Sequence, residues 1–538
     1  MGLKYTSIMK LGGIVLTLTG LAMIPALLTS LSCREFGMAF FFSLCVIPAV
    51  ALGGILRLSR RKRPPLAMKP RDAIFIASLC WVASSLAGAL PYAFSGAAGV
   101  ADAFFESASG FTTTGATVFR DIDALPKGLL VWRSTSGWLG GLSILVLVLG
   151  ALPISGAAQL TVQAEPSASL SERFLSKTHG TARQILAIYM GMTLLLLALL
   201  LLAGMDVFGA FIHAMGVAST SGFTRHTAEA VGFEGAGANW ILTVFMLLAA
   251  MSYSMYSKLL SKHWRQALQD EEPRWFLTMF VAAGLFLALG MSLAPTAGAG
   301  DFIVTADGGS GAAYAMGGGG SGAAYAMGGD GSGATYAMGG GTATYGAAMP
   351  SGLGRRLELA FFESAATIST TGLRNVDYTL WPTFCHLILL FLMVSGGCSA
   401  SSAGGLKALR VAIVFKLLRR NISRRMHPNA VVQIKMNGVP LSSETSSAMA
   451  GHALLYLAVV FLGTAALCAD GTDVLTSASS VISCLGNVGP AFGAAGPASC
   501  YDFFSPYIKV LLGFIMIAGR LELATLILLF TPQFWSNS

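Results

Sequence analysis

Four stretches of this 538-residue chain end in a small, hydroxyl-rich turn closed by glycine. They read FFESASGFTTTGAT about Gly115, FIHAMGVASTSGFT about Gly222, FFESAATISTTGLR about Gly372 and ASSVISCLGNVGPA about Gly489. An aromatic stands eleven residues before the glycine in the first three (Phe104, Phe211, Phe361), and Ala478 takes that place in the fourth. A dehydrated cation needs several oxygen ligands, and extended turns meeting on one axis offer it backbone carbonyls in place of water. Glycine permits the backbone angles that turn those carbonyls inward. A short helix aiming its C-terminal end at the same cavity adds negative potential, about half a charge per end. One Thr-x-Gly is equally well an ordinary helix cap. Four in register point to a path for a cation.

Such turns need a scaffold, and the composition makes it a membrane one. Hydrophobic residues form 54% of the chain and charged residues only 11%, with a mean hydropathy of +0.69. Soluble domains carry roughly a quarter charged residues, so a disordered chain, a coiled coil and most soluble enzymes are excluded. At about 20 apolar residues per span, ten candidates lie near 8–31, 40–56, 73–94, 128–152, 185–203, 240–260, 275–293, 380–418 (interrupted), 453–468 and 506–530. The first has no small-residue cleavage site and reads as a retained helix. Between odd and even spans lie 101–111, 207–218, 357–368 and 474–484, each ~11 residues and so of re-entrant length.

The net charge of +9 would point to nucleic acid in a soluble chain. Here the basic residues gather in short connections, notably Arg57–Arg71, Lys258–Arg274 and Lys407–Arg425. With both termini inside, all of these fall on the cytoplasmic face, as the positive-inside rule requires, and no nucleic-acid partner is implied. The run Arg419–Arg425 has two further readings beyond topology, contact with anionic membrane lipid or with a partner. The eight cysteines show neither metal spacing nor a disulfide framework; Cys33 and Cys500 fall on the outer side, where one bridge is conceivable.

The fold expected is an all-α integral membrane protein: two leading helices over 1–71, then four helix–half-helix–helix repeats over 72–180, 181–272, 273–440 and 441–538. The third repeat carries a Gly-rich insert, 296–350, with an eleven-residue period marked by Tyr314, Tyr325 and Tyr336. It has acids but no Lys or Arg, as suits an outer loop. Low-complexity sequence buries too little surface to offset its ordering entropy, so a flexible insert is expected. A glycine-rich β-solenoid is the ordered alternative.

Two features interrupt apolar spans. Ten small residues, Gly396–Gly405, break the eighth span; they form either a loop lining a cavity or a small-residue packing face. Arg520 lies near the middle of the last span, where a charge is costly and faces an interior path or an ion pair. Glu522, two residues away, does not share its helix face, so the small-residue loop is the expected partner. Glu106, His213 and Glu363 each stand nine residues before their glycine. They either tune the field at the mouth or simply pack and cap the half-helices.

The four turns, the run from Gly396 to Lys407, and the closing Gly519-Arg520-Leu521-Glu522 with Thr531-Pro532 and Trp535 resemble the membrane subunit of bacterial Trk potassium uptake systems, in the Trk/Ktr/HKT superfamily. The likeness runs over essentially 1–535 outside the insert, and the two leading helices resemble the Trk branch. It implies a pseudo-fourfold, potassium-channel-like pore in a bacterial inner membrane. Potassium would bind at Thr113, Thr114, Gly115, Thr220, Ser221, Gly222, Thr370, Thr371, Gly372, Asn487, Val488 and Gly489. The gate would comprise Gly396, Gly397, Ser399, Ser401, Ser402, Gly404 and Gly405 with Arg520. In plant relatives a serine at the first glycine position goes with sodium; here all four are glycine. The resemblance also implies a homodimer and a cytosolic, ring-forming nucleotide-binding subunit (TrkA-like). No Gly-rich phosphate loop follows a predicted strand, so this chain itself is expected to bind no nucleotide. No catalytic constellation is present, so no enzyme is expected. The competing readings are a proton- or sodium-coupled potassium symporter of the same superfamily and a small-solute secondary transporter.

Overall fold

The computed structural model describes residues 5–58, 70–146, 178–226, 236–293, 352–427 and 432–521, five strands of the insert and a few isolated residues. Helices occupy all ten expected places. The chain opens with α1 (Tyr5–Ala22) and α2 (Ile24–Ser32), which act as one span, then α3 (Phe36–Leu58). The stretch expected to be the first repeat contains α4 (Pro70–Phe94), α5 (Val100–Phe111) and α6 (Lys127–Val146); that expected to be the second contains α7 (Thr178–Leu202), α8 (Val207–Ala218), α9 (Ala236–Ala250) and α10 (Tyr253–Leu260). After a short α11 (Trp264–Gln269), the third repeat holds α12 (Glu271–Leu293), α13 (Leu353–Ile368), α14 (Thr383–Ser395) and α15 (Ala408–Met426). A two-stranded hairpin at 435–440 leads to α16 (Ser443–Ala469), α17 (Val474–Gly486) and α18 (Pro506–Leu521). Among the described residues six helical stretches, that of α1–α2 counted as one, are long and apolar enough to cross a membrane, and the bent pair α9–α10 makes a seventh. The parts of the fourth and tenth expected spans beyond Val146 and Leu521 lie largely outside the described residues.

The layering is inverted relative to a soluble protein. Long helices show large apolar side chains outward, among them Phe40, Ile47, Leu194, Leu285, Leu454 and Phe461, as a lipid-facing surface requires. The half-helices α5, α8, α13 and α17 sit inside, with most of their residues buried, Glu106, His213 and Glu363 included. Local chemistry starts them: Asp206 accepts from the Gly209 N–H ahead of α8, and Asp473 accepts from Thr476 ahead of α17, each satisfying an otherwise orphaned donor.

Three expectations change. The sixth span is not one helix but α9 and α10, bent by 95°, because Ser252 caps a new helix by accepting from Ser254. The third half-helix begins at Leu353, four residues early. Where described, the insert is an antiparallel meander of β1 (Val304–Thr305), β2 (Ala312–Tyr314), β3 (Ala324–Met327), β4 (Gly333–Met338) and β5 (Gly341–Gly346). The register sets Tyr314 opposite Tyr325, and Tyr325 opposite Tyr336, in antiparallel pairs rather than the parallel coils of a solenoid. Cys33 and Cys500 are both free.

Candidate functional site

All four half-helices end alike. Thr113, Thr220, Thr370 and Asn487 adopt left-handed backbone, with φ of 54°, 58°, 55° and 54°. Two residues later Gly115, Gly222, Gly372 and Gly489 again have positive φ, at 75°, 59°, 60° and 106°. The residue between is not left-handed, and such alternation turns successive carbonyls toward one side. Each helix is closed by a bond reaching back five residues: Thr114 N–H to Ser109 O, 2.8 Å; Ser221 to Gly216, 2.8 Å; Thr371 to Ala366, 3.0 Å; Val488 to Ser483, 2.9 Å. Helices closed this way normally place glycine at the left-handed position. A β-branched residue there is strained by roughly 1–3 kcal/mol, so threonine in three equivalent places marks side chains that are wanted for themselves. Asparagine tolerates this conformation best after glycine, which accounts for the fourth turn's departure from the hydroxyl pattern.

The turns meet. A Cβ added to Gly115 would lie against the carbonyl oxygen of Ser221, one on Gly222 against that of Thr371, and one on Gly372 against that of Val488. One on Gly489 would lie 2.5 Å from the carbonyl oxygen of Thr114. Turn one therefore abuts turn two, two abuts three, three abuts four, and four returns to one. All twelve residues of the four turns are buried. Hydroxyl pairs brace three of them from within: Thr112 with Thr114 at 2.7 Å, Ser219 with Ser221 at 3.0 Å, Ser369 with Thr371 at 2.8 Å. The fourth is braced from outside, Asn487 Nδ2 donating to Thr114 Oγ1 at 2.9 Å and to the Met516 carbonyl at 3.1 Å.

The small-residue run Gly396–Gly405 is a loop pressed against the same ring. The Thr220 hydroxyl donates to Ser402 O at 2.9 Å, and Gly404 N–H donates to Thr370 Oγ1 at 2.7 Å. A Cβ on Gly404 would meet the Gly486 carbonyl at the end of α17. The backbone at membrane depth is satisfied by the break in the sixth span: Cys398 N–H donates to Ala250 O at 3.0 Å, and Tyr253 N–H to Ala400 O at 3.1 Å. Ser399 N–H donates to the half-buried Glu272 carboxylate. Gly396 and Gly405 both have positive φ and lie against each other, closing the neck of the loop. Arg520 donates to Ser402 O at 2.5 Å, and among the described residues its guanidinium forms no ion pair. The loop, one of the two partners that the sequence left open once Glu522 was excluded, is thus the one it contacts.

Sequence reasoning missed two contributors. One is the α9–α10 break, whose only signal is a serine N-cap within an apolar run. The other is Arg133 on α6, buried beside Glu106 with Nε–Oε1 at 2.7 Å. Glu106 also accepts from Val118 N–H at 3.0 Å and the Thr117 hydroxyl at 3.2 Å. Arg133 donates to Thr224 O at 3.3 Å, and its guanidinium lies 4.4 Å from the Phe223 ring centroid, just past Gly222. An arginine within an apolar span was the available signal. Among the described residues no cluster of His, Cys, Asp and Glu is arranged to hold a metal ion.

Residues 39–537 match the TrkH family of cation transport proteins. Similar relatives include the Trk system potassium uptake protein TrkH of Halomonas elongata, 30% identical over 98% of each chain. TrkH of Escherichia coli is also 30% identical, over 97% of this chain and 98% of that one. The crystal structure of the potassium transporter TrkH from Vibrio parahaemolyticus superposes with a TM-score of 0.80 at 27% identity, covering 99% of this chain and 100% of that one. The mostly helical, multi-pass chain, with its four turns and buried loop, belongs to the TrkH family of transporters.

Proposed function

We propose that this protein takes up potassium across a bacterial inner membrane through a channel-like pore. Its selectivity filter is the ring of four Gly-centred turns, and its gate is the loop Gly396–Gly405 with Arg520. The observation that carries the reading is the closed set of contacts from Gly115 to Ser221, Gly222 to Thr371, Gly372 to Val488 and Gly489 to Thr114. A ring of inward carbonyls with glycine at every turn replaces the hydration shell of an alkali cation. Glycine at all four positions goes with potassium rather than sodium in this superfamily. Arg520 holds the loop across the half-helix ends, where a fixed cation opposes passage. The protein acts as a homodimer under a cytosolic nucleotide-binding subunit, and nucleotide acts through that partner.

Rubidium uptake in a bacterium lacking its own potassium transporters tests this. Uptake competed by potassium and not by amino acids is expected; competition by amino acids alone would overturn the reading in favour of a small-solute transporter. In the same assay Arg520→Ala is expected to raise rubidium leak when the regulatory subunit is absent. Unchanged flux and unchanged gating would remove Arg520 and its Ser402 contact from the gate.

A further inference from the structure

Behind the third turn lies a buried acid with no counter-charge among the described residues. Glu363, on α13, is 1% exposed. Its carboxyl accepts the backbone N–H of Asn375, yet Oε1 has no hydrogen-bond partner. Asn375 is 2% exposed, and both atoms of its side-chain amide are unpartnered too. The first repeat holds the matching arrangement in a different state. Glu106 also stands nine residues before its glycine and also accepts from the backbone N–H twelve residues on, that of Val118. There, however, Arg133 neutralises it. The same offset from Glu363 reaches Leu390 on α14, which carries no charge. One site is therefore built twice, once paired and once bare.

The surroundings do not supply the missing charge. On the limb after turn three stands a second acid, Asp377, whose carboxylate accepts from the Thr379 N–H and hydroxyl. Arg374 donates to Pro497 O at 3.0 Å, and Tyr378 donates to Ala491 O at 3.2 Å. On α14, Cys385 is packed in the core, and His386 lies 3.1 Å from Tyr378 O. On α13 itself the Arg355–Glu358 pair sits in the first turns of the helix. α12 carries Glu271, Glu272 and Arg274 near its first turn, and α9 carries no titratable residue. A buried carboxylate left like this either takes a proton or waits for a cation. The ring offers the cation: α13 ends at Ile368, five residues and about 7.5 Å along the axis from Glu363, and Thr370 of the ring follows two residues later.

We propose that Glu363 is a proton-binding site coupled to occupancy of the ring, protonated when the ring is empty and ionised when an alkali cation enters. On cation entry the carboxyl O–H bond breaks, its electron pair stays on Glu363, and the proton leaves to bulk water. The cation supplies the positive charge that replaces it. By linkage, acid weakens cation binding and alkali strengthens it, by at most about tenfold per pH unit for one proton. Glu106, already paired with Arg133, takes no part. The inference rests on the filter reading above.

Purified full-length protein in a weakly buffered detergent solution decides the matter, with retention of radioactive rubidium and proton release followed together. The wild type is expected to retain rubidium and release a proton as it does so. Glu363→Gln is expected to retain rubidium with no proton release and with an affinity independent of pH. Wild-type protein that retains rubidium without releasing a proton overturns the inference even if the variant does not fold. Glu363→Gln that releases protons as the wild type does overturns it as well. Wild-type protein that retains no rubidium sinks the filter reading itself, a distinguishable failure.

Discussion

Gly115→Ser is expected to cost the protein its preference for potassium over sodium. A serine Cβ at this position would press against the backbone carbonyl of Ser221, an atom belonging to the next turn and unable to rotate away as a side chain would. The residue also sits at φ 75°, where a side chain is strained by roughly 1–3 kcal/mol. Overpacking a tight site adds about as much again. The turn relieves both by moving its carbonyl off the axis, and a ring that loses one inward oxygen loses discrimination first. Only ~1.4 kcal/mol of lost discrimination is a tenfold change, so the potassium-to-sodium preference is expected to fall at least that far. Parallel sodium and rubidium uptake reads it out. A variant expressed at wild-type levels with unchanged preference would separate Gly115 from ion choice.

Arg133→Met is expected to cause the largest loss of stability of any single change considered. The Arg133 and Glu106 side chains are 1% and 0% exposed, and removing one partner of a buried pair costs about 3–5 kcal/mol, because the other charge is left alone. Methionine conserves the volume, so the loss isolates the charge. The arginine also ties α5 to the segment following Gly222 through Phe223 and Thr224, joining the first repeat to the second. Thermal unfolding of purified protein should show a strongly lowered midpoint. Combining Arg133→Met with Glu106→Gln removes the stranded charge, keeps an acceptor for Val118 N–H, and should recover much of the loss. A single variant as stable as wild type would show that the pair holds nothing together.

How much of this was written in the sequence follows from range. The four turns were legible because each is a local device, a half-helix, a left-handed residue and a glycine within fourteen residues. The break at Gly396–Gly405 was legible because ten small residues cannot read as a continuous lipid-facing helix. Helical spacing excluded Glu522 from the face of Arg520 and left the loop and an interhelical ion pair as its possible partners. What stayed hidden is settled between distant segments. The bend at Ser252 persists because Cys398 and Ala400, about 150 residues later, take up the backbone groups that it frees. Arg133 and Glu106 are 27 residues apart, and nothing local to either announces the pairing. The insert's strands depend on hairpin pairing across successive repeats, where composition alone argued for a coil.

In the proposed pore four non-identical turns surround one dehydrated potassium ion. Anomalous diffraction from crystals grown in rubidium measures it directly. Rubidium density on the axis between the carbonyls of Thr114, Ser221, Thr371 and Val488 is the expected result. Bound rubidium found elsewhere, with that axis empty, would contradict it.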